Sequence, residues 1–204
     1  MIIAGAHDTL IRRLFEIGAI RFGEFTLKSG IVSPFYVDLR VVISFPDVLE
    51  RIGALMAAEV SRCDGDRVGG IPYAGLPLAV AASLAGRVPL IYPRREEKGY
   101  GTKRRIEGQF KAGERVVLID DIITDGASKL EAIQPMEEAG LVVKDLVVLV
   151  DREQGGRELL AARGYTLHPV LTISQCFDAG ERADLVPPDL IRQSREFLKA
   201  SRFA

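Results

Sequence analysis

The sequence predicts one α/β domain in which helices flank a central parallel sheet. Short apolar runs at 116–119 and 146–150 are typical of strands buried on both faces, and helical patterns separate such runs along the chain. Strands that alternate with helices form right-handed βαβ units and therefore a parallel sheet. The 204 residues suffice for a single domain, 1–204, with a sizeable core.

The first forty residues predict a small subdomain packed over an edge of that sheet. Residues 8–20 have apolar side chains at helical spacing, with Gly18 near the end of the helix. Apolar and polar residues then alternate in 22–30 and 34–39, which indicates two strands. Because these strands precede the helices of the main fold, we expect them to form a separate small sheet.

The remaining elements alternate as βαβ units require. Residues 46–61 carry a helical apolar stripe, with Ser44 as the expected cap and Pro46 in the first turn. The predicted strands of the main sheet are 68–71, 88–92, 115–120, 146–150 and 167–172. Helices are predicted at 75–84, 128–139 (capped by Ser128) and 157–162, and Pro187-Pro188 opens a last helix.

Composition and charge exclude several classes of function. Lys and Arg total 27 against 28 Asp and Glu, so no net basic field suggests a nucleic-acid partner. No apolar run approaches the roughly 20 residues of a membrane span, and the amino terminus lacks the pattern of a secretory leader. We therefore expect a cytoplasmic protein with no membrane partner.

The sequence predicts no metal site made of protein side chains. Cys63 and Cys176 lack the spacing of metal ligands, and a disulfide is not expected without secretion. His7 and His168 have no metal-ligating neighbours along the chain. Both histidines are therefore expected to be structural or exposed.

The segment 115–132, RVVLIDDIITDGASKLEA, carries the clearest chemistry. A buried strand leads into Asp120 and Asp121, and a turn of small residues then opens a helix. Helix N-termini bind phosphate through unpaired N–H groups, and adjacent carboxylates accept hydrogen bonds from vicinal hydroxyls. The pattern predicts a ribose 5-phosphate site. For an acidic pair alone, an ordinary βα turn with solvated carboxylates would be the alternative.

A charged segment between two predicted strands interrupts the alternation. Residues 94–108 hold six cations, three carboxylates and three glycines. A solvated β-hairpin is one interpretation, since most charged loops are of that kind. Long loops inside compact domains are often functional, and an excess of Arg and Lys beside a phosphate site favours a lid over a polyphosphate.

Six blocks in succession resemble the orotate phosphoribosyltransferases, a family of type I phosphoribosyltransferases. The blocks are FGEFTLKSG (22–30), SPFYVDLR (33–40), GIPYAGLPLA (70–79), PRREEKGYGTKRRIEG (93–108), DDIITDGAS (120–128) and DREQGG (151–156). Three of these blocks, SPFYVDLR, IPYAGLPLA and DREQGG, are more similar in sequence to the transferase half of the bifunctional eukaryotic enzymes than to the enterobacterial type. The resemblance implies the type I fold with a small N-terminal hood, mainly 1–40, and transfer without the decarboxylase half.

The resemblance also implies a reaction in pyrimidine (UMP) biosynthesis and its partners. Orotate would take a phosphoribosyl group from phosphoribosyl pyrophosphate, with Mg²⁺ as cofactor, in a homodimer. Asp120 and Asp121 would hold the ribose hydroxyls, and the turn 124–128 would hold the 5-phosphate. The residues implied for phosphoribosyl pyrophosphate are Lys28, Tyr73, Ala74, Asp120, Asp121, Ile122, Ile123, Thr124, Asp125, Gly126, Ala127 and Ser128.

Other residues are assigned to the base and to the leaving group by the same resemblance. The backbone of Tyr36 and Val37 would flank the orotate ring, and Arg152 would pair with its carboxylate. Arg94, Arg95, Lys98 and Tyr100 would belong to a mobile loop, 94–108, that reaches into the neighbouring subunit's site. Lys98, Asp120 and Asp121 are the implied catalytic residues.

The residues themselves support the role of Arg152, with one alternative. A base that bears a carboxylate needs a cation, and Arg offers a planar bidentate fork. Arg152 follows a buried strand at its carboxyl end, where such sheets bind ligands. An ion pair with Asp151 or Glu153 is an equally weighted interpretation of Arg152 alone.

The sequence departs from the enterobacterial pattern at several positions. Ala74 replaces a pyrophosphate-binding Lys, which leaves only a backbone contact there, and Tyr100 and Arg95 replace a His and a Lys. Asp125 lies in the phosphate turn and is expected to point outward, since an inward carboxylate would repel phosphate.

Two other functions share parts of the motif. A purine phosphoribosyltransferase would share DDIITDGAS but would not need residues 28–30 or Arg152. A regulator that senses phosphoribosyl pyrophosphate would need a basic nucleic-acid-binding face or an added helix-turn-helix, and the near-neutral charge disfavours it.

Overall fold

The computed structural model describes residues 2–26, 30–94 and 105–201. Its elements, in chain order, are α1 (Ile2–Glu16), β1 (Ile20–Thr26), β2 (Val32–Val37), a 3-10 helix (Leu39–Ser44), α2 (Pro46–Val60), β3 (Arg67–Gly70), α3 (Gly75–Gly86), β4 (Leu90–Pro93), β5 (Ile106–Glu107), β6 (Arg115–Ile123), α4 (Ala127–Glu138), β7 (Val142–Asp151), α5 (Gly156–Ala162), β8 (Thr166–Thr172), α6 (Ile173–Arg182) and α7 (Pro188–Ala200). None of the described helices combines the length and apolar character of a membrane span.

The main sheet confirms the predicted parallel α/β architecture. Its six strands run in the order β5-β4-β3-β6-β7-β8, and only β5 is antiparallel to its neighbour. The central strand β6 is buried on both faces: Val117 and Ile119 join one hydrophobic cluster, and Val116 and Leu118 join another with Met136 of α4. Burial on both faces explains the continuous apolar run.

The amino-terminal strands form the separate small sheet that the sequence predicts. Strands β1 and β2 pair antiparallel, with an irregularity between Phe22 and Phe25. Phe35 of β2 is fully buried and meets Phe177 and Phe197 edge-on, with ring centroids 5.1 and 6.0 Å apart. Phe35 also faces Arg152 at the carboxyl end of the interior strand β7. The hood therefore covers that end of the sheet rather than an edge.

Several boundaries and caps differ from the predictions. The first helix ends at Glu16 rather than at 20, because Gly18 takes a positive φ of 71° and Ile20 already pairs with Val37. Ser44 and Ser128 are not the caps of α2 and α4. Phe45 and Gly126 hold those positions, without a side-chain cap hydrogen bond.

Three elements are absent from the sequence-based prediction. Helix α6 follows β8 directly, and Thr172 and Gln175 form a capping box there without any Gly or Pro to mark the boundary. Strand β5 has only two residues, and the 3-10 helix starts where the Asp38 side chain accepts a hydrogen bond from Arg40 N. Such short pieces leave little periodicity to detect.

Helices α2 and α3 pack closely enough to require Gly53. A Cβ at Gly53 would lie 2.8 Å from the backbone C and O of Ala81, which cannot move aside. We expect Gly53→Ala to lower the free energy of unfolding, because the overpacking cost of about 1–3 kcal/mol exceeds the gain of up to about 1 kcal/mol from replacing a helical glycine. Urea denaturation measures this difference.

Gly5→Ala is the matched control, because a Cβ at Gly5 in α1 would meet nothing within 4 Å. We expect that variant to be as stable as the parent or up to about 1 kcal/mol more stable. Equal stability changes in the two variants would contradict the inferred packing constraint.

Candidate active site

Strand β6 carries the acidic pair inside the sheet rather than at a strand end. The strand continues to Ile123, and Asp120 lies opposite Val148 of β7. The two side chains interact, and the negative charge of Asp120 acts on Asp121. Asp120 is only 6% exposed, whereas Asp121 is half-buried. The acidic pair is therefore not the solvated strand end of the alternative interpretation, and its two carboxylates are not equivalent.

Each carboxylate oxygen of Asp120 has a partner from its own chain. Its Oδ2 lies 2.5 Å from Nζ of Lys129, and its Oδ1 accepts a hydrogen bond from Asp121 N at 2.9 Å. Lys129 is 5% exposed and lies in the first turn of α4. Helical side chains point back towards the N-terminus, so Lys129 reaches the strand that precedes its helix. A lysine nine residues after the first aspartate was the signal that sequence reasoning missed.

Asp121 has an unusual protonation equilibrium. Its Oδ1 accepts a hydrogen bond from Ile122 N at 2.8 Å. Burial, and then the negative charge of Asp120, raise the pKa of Asp121 to about 7. Of the two carboxylates, Asp121 is the more accessible one, and it changes charge near neutral pH.

The turn between β6 and α4 has the geometry of an anion site. Gly126 takes a φ of 86°, and a Cβ there would lie 3.2 Å from Cα and O of Gly156. The backbone N–H groups of Asp125, Gly126 and Ser128 have no hydrogen-bond partner in the described part of the chain. Unpaired N–H groups at a helix N-terminus suit a phosphate.

One backbone N–H group of this turn already has a partner, the side chain of Asp125. Its side chain is exposed, as expected, but its Oδ1 accepts a hydrogen bond from Ala127 N at 3.1 Å. The carboxylate thus caps the turn in the structure, rather than pointing away from it. A phosphate bound at Ala127 N would have to displace that carboxylate.

A second turn approaches Asp120 from β3. It contains the cis peptide bond between Pro72 and Tyr73, and Ala74 precedes the first residue of α3, Gly75. A Cβ at Gly75 would lie 2.8 Å from Oδ1 of Asp120. Tyr73 is 63% exposed beside this contact. The start of α3 therefore lies directly against the acidic pair.

Arg152 is held against the phosphate turn and the hood. Its backbone N donates to the carbonyl of Ile123 at 3.0 Å, and its guanidinium carbon lies 5.2 Å from the centroid of the Phe35 ring. The buried Nε has no hydrogen-bond partner among the described residues. Burial lowers the pKa of Arg152 below its ordinary value, as expected of a poorly solvated cation.

The alternative ion pair for Arg152 is not formed. Asp151 lies 3.5 Å from Arg157, and Glu153 accepts a hydrogen bond from Ser174 N. Within residues 2–26, 30–94 and 105–201, Arg152 takes part in no salt bridge. Its neighbours already have other partners, so Arg152 stays available for an anion from outside.

The remaining predicted residues lie around this centre. Tyr36 stacks on Phe25 with ring centroids 5.5 Å apart, and Val37 pairs with Ile20 in the small sheet. Arg94 lies 3.2 Å from Glu107 and helps line a cavity of about 250 Å³ together with Asp120. Lys28, Arg95, Lys98 and Tyr100 lie outside the described residues.

The strands on either side of the charged segment form antiparallel pairs, as in a β-hairpin. Strands β4 and β5 are antiparallel, and Arg94 N donates to Arg105 O at 2.8 Å. This pairing agrees with the hairpin interpretation for the flanks. Residues 95–104, which carry most of the predicted lid, lie outside the described part of the chain.

Two turns, an acidic pair and Arg152 thus meet near the carboxyl end of a parallel sheet. One turn suits a phosphate, the acidic pair suits sugar hydroxyls, and a poorly solvated arginine lies under a small hood. This fold and site define the class of the type I phosphoribosyltransferases. No family model matches the chain.

Comparison with known proteins narrows the class. An orotate phosphoribosyltransferase of Thermococcus gammatolerans is 40% identical over 178 residues, which are 86% of this chain and 94% of that protein. The structure of Leishmania donovani UMP synthase is 39% identical with a TM-score of 0.88 over 97% of this chain. The Mycobacterium tuberculosis orotate phosphoribosyltransferase in complex with phosphoribosyl pyrophosphate is 28% identical with a TM-score of 0.69, and covers 84% of this chain and 98% of its own.

The chain belongs to the orotate phosphoribosyltransferase family, a family of pentosyltransferases. It spans 41% of the length of the Bos taurus UMP synthase and 43% of the Leishmania one. The relatives carry the names of enzymes, which argues against the regulator alternative.

The raised pKa of Asp121 predicts a pH-dependent stability. The pKa of about 7 lies above the ordinary 3.8, so the folded chain keeps a proton that the unfolded chain loses first. The stability that this proton contributes is complete below about pH 4 and is lost as the pH rises through about 7. We expect the free energy of unfolding to fall by up to about 1.4 kcal/mol per pH unit across this window.

Urea denaturation of Asp121→Asn at several pH values tests this prediction. The slope between about pH 4 and pH 7 should flatten, because the amide does not titrate. Asp184→Asn, the same chemical change at an exposed residue, should keep the parent slope. An unchanged slope in Asp121→Asn would show that another group binds the proton.

Proposed function

We propose that this chain transfers the phosphoribosyl group from phosphoribosyl pyrophosphate to orotate, giving orotidine 5-monophosphate and pyrophosphate in the pyrimidine (UMP) pathway. The observation that carries the proposal is Arg152, a poorly solvated cation without an ion-pair partner in the described chain, tied to the phosphate turn. Relatives with high coverage bear the name of this activity.

The turns and the acidic pair are the proposed site for phosphoribosyl pyrophosphate. The 5-phosphate would accept hydrogen bonds from the N–H groups of the turn that contains Thr124, Asp125, Gly126, Ala127 and Ser128. The ribose hydroxyls would donate to the acidic pair, which Ile122 and Ile123 connect to that turn. The pyrophosphate would lie by Tyr73 and the backbone of Ala74, with Lys28 reaching it. The relative from Mycobacterium tuberculosis was solved with this substrate.

The proposed orotate site lies between the hood and Arg152. A carboxylate on the base would take the place of the missing ion-pair partner of Arg152, in a charge-assisted contact. The backbone of Tyr36 and Val37 would flank the ring. A purine has no carboxylate and would leave the guanidinium uncompensated, which favours orotate over the purine alternative.

The proposed mechanism is a displacement at the anomeric carbon. Ring N1 of orotate forms the new bond, pyrophosphate leaves with its electron pair, and the configuration inverts. The chain would contribute positioning and charge stabilisation, since Arg152 orients the base and the turns fix the phosphates. Arg94, Arg95, Lys98 and Tyr100 would stabilise the charge of the leaving group, with Lys98 as the catalytic cation.

The donor set fits a Mg²⁺ ion that is held mainly by substrate. Among the described residues, the acidic pair has no third carboxylate, His or Cys close enough to complete a protein cage. Magnesium commonly keeps its waters and binds phosphates. When bound, the ion would neutralise part of the pyrophosphate charge. Its oxygen ligands would come from the substrate and from water rather than from a cage of protein side chains.

Assembly and location remain proposals. The family resemblance supports a homodimer in which the loop 94–108 of one subunit serves the neighbouring site. A cytoplasmic location is proposed on the same grounds.

Arg152→Ala tests the proposed function. We expect the KM for orotate to rise roughly 10- to 150-fold, because a charge-assisted bidentate pair contributes about 1.5–3 kcal/mol, while the KM for phosphoribosyl pyrophosphate changes little. A spectrophotometric assay with Mg²⁺ follows the loss of orotate. The parent chain should use orotate, and not uracil, adenine or hypoxanthine, at an appreciable rate.

The control is Arg163→Ala, which removes an exposed arginine at the end of α5 and should leave both KM values unchanged. Equal rises of both KM values in Arg152→Ala would contradict the assigned role. Faster transfer to adenine or hypoxanthine would favour the purine alternative.

A further inference from the structure

Three metal-ligating side chains meet at the amino-terminal half of the sheet. Asp145 lies on β7, His168 on the neighbouring strand β8, and Cys63 just after α2. Their ligand atoms all lie within 4.8 Å of one another, and Nε2 of His168 lies 2.7 Å from Oδ1 of Asp145. Among the described residues, this is the one group of three such side chains.

The topology separates this cluster from the acidic pair. Asp145 lies opposite Val117, three residues before Asp120 on β6, or about 10 Å along the strand. The cluster lies on the face that α2 covers, where Cys63 packs, whereas Lys129 of α4 meets Asp120 on the opposite face. The cluster therefore takes no part in the proposed transfer reaction.

We propose that Cys63, Asp145 and His168 bind a Zn²⁺ ion, with water completing a tetrahedral shell. A thiolate, an imidazole and a carboxylate are the donors that zinc prefers, and all three side chains are half-buried and reachable. The thiol of Cys63 donates a hydrogen bond to the carbonyl of Glu59 at 3.4 Å, and the Asp145 carboxylate supplies negative charge beside it. A divalent cation would offset that negative charge and join the end of α2 to β7 and β8.

Cobalt substitution tests this site without any activity assay. The metal-free chain, reduced with a phosphine, is titrated with Co²⁺ and then with Zn²⁺. We expect a thiolate-to-cobalt charge-transfer band that Zn²⁺ abolishes, and a higher Tm of the parent chain with Zn²⁺. Cys63→Ser should lose both signals, and His7→Gln should retain them.

His168→Gln and Asp145→Asn extend the test to the other ligands. Each should weaken Zn²⁺ binding by at least the roughly 10–100-fold that loss of an outer-shell partner costs. The proposal is overturned if the parent chain shows no charge-transfer band, or if Cys63→Ser binds Co²⁺ and Zn²⁺ as the parent does.

A second inference concerns Lys129 and rests on the proposed function. Both oxygens of Asp120 are engaged, Oδ2 by Lys129 and Oδ1 by Asp121 N, and the start of α3 packs on the same carboxylate. Asp121 accepts a hydrogen bond from Ile122 N and is the more exposed of the two. The two aspartates therefore have different surroundings.

From this asymmetry we infer a narrower form of the proposed site: Asp121, rather than both aspartates, receives the ribose hydroxyls, while Lys129 and Asp120 act as a positioning pair. Lys129 partly offsets the charge that Asp120 directs at Asp121, and the pair fixes the backbone from which Asp121 projects. A cation at a helix N-terminus interacts unfavourably with the helix dipole, so a buried lysine there needs a counter-ion such as Asp120. Neutralising both partners should preserve this arrangement better than neutralising one.

The test compares Lys129→Met, Asp120→Asn, the double variant of these two, and Asp121→Asn. We expect each single variant at 129 or 120 to lower the Tm. Each should also lower kcat/KM for phosphoribosyl pyrophosphate by a larger factor than it changes the KM for orotate. The double variant should regain Tm and at least roughly 10-fold in kcat/KM over either single variant, since no unpaired charge remains buried. Asp121→Asn should stay defective with or without Lys129→Met.

The outcomes separate the two proposals. A double variant that regains Tm but no activity would mean that Asp120 itself contacts substrate, which overturns the positioning role. An absence of Tm coupling between 120 and 129 would overturn the pair as well. If the parent chain fails to use orotate, the proposed function fails, and the Tm comparison still tests the pair.

Discussion

Close backbone packing at the carboxyl end of β6 is the constraint on which the rest of the site depends. A Cβ at Gly75 would lie 2.6 Å from the carbonyl of Ile119, and one at Gly156 would lie 2.7 Å from the carbonyl of Thr124. The starts of α3, α4 and α5 can therefore converge on one strand end. Without that approach, the two turns and Arg152 would not face a common centre.

The hood matters because it makes the environment of Arg152 poorly solvated. Phe35 packs among aromatic rings and presents its own ring to the guanidinium of Arg152. The neighbouring Asp151 forms an ion pair with Arg157 instead. A cation with few local partners interacts more strongly with an incoming anion, because less solvent must be displaced. The fold thus leaves one arginine available by pairing its neighbours elsewhere.

Most of the fold could be predicted because β6 and β7 are buried on both faces, and such strands are continuous apolar runs. The acidic pair and the phosphate turn were also predictable, since they are consecutive in the chain. Lys129 was missed because its role depends on the direction of a helical side chain, and the Cys63, Asp145 and His168 cluster because its members are far apart in sequence. The capping box at Thr172 lacked the glycine or proline that marks most boundaries.

Electrostatics explains why two adjacent aspartates can serve a polyanionic substrate. Two free carboxylates would repel phosphates, but Lys129 balances the charge of Asp120, and Asp121 is only partly ionised near neutral pH because its pKa is about 7. Asp121 then keeps acceptor oxygens for hydroxyl donors, while the two aspartates and Lys129 together carry about one negative charge or less. The adjacent N–H groups of the α4 turn carry partial positive charge, so the potential changes sign over a few ångströms. That change of sign matches a ligand whose hydroxyls and phosphate are neighbours on one sugar.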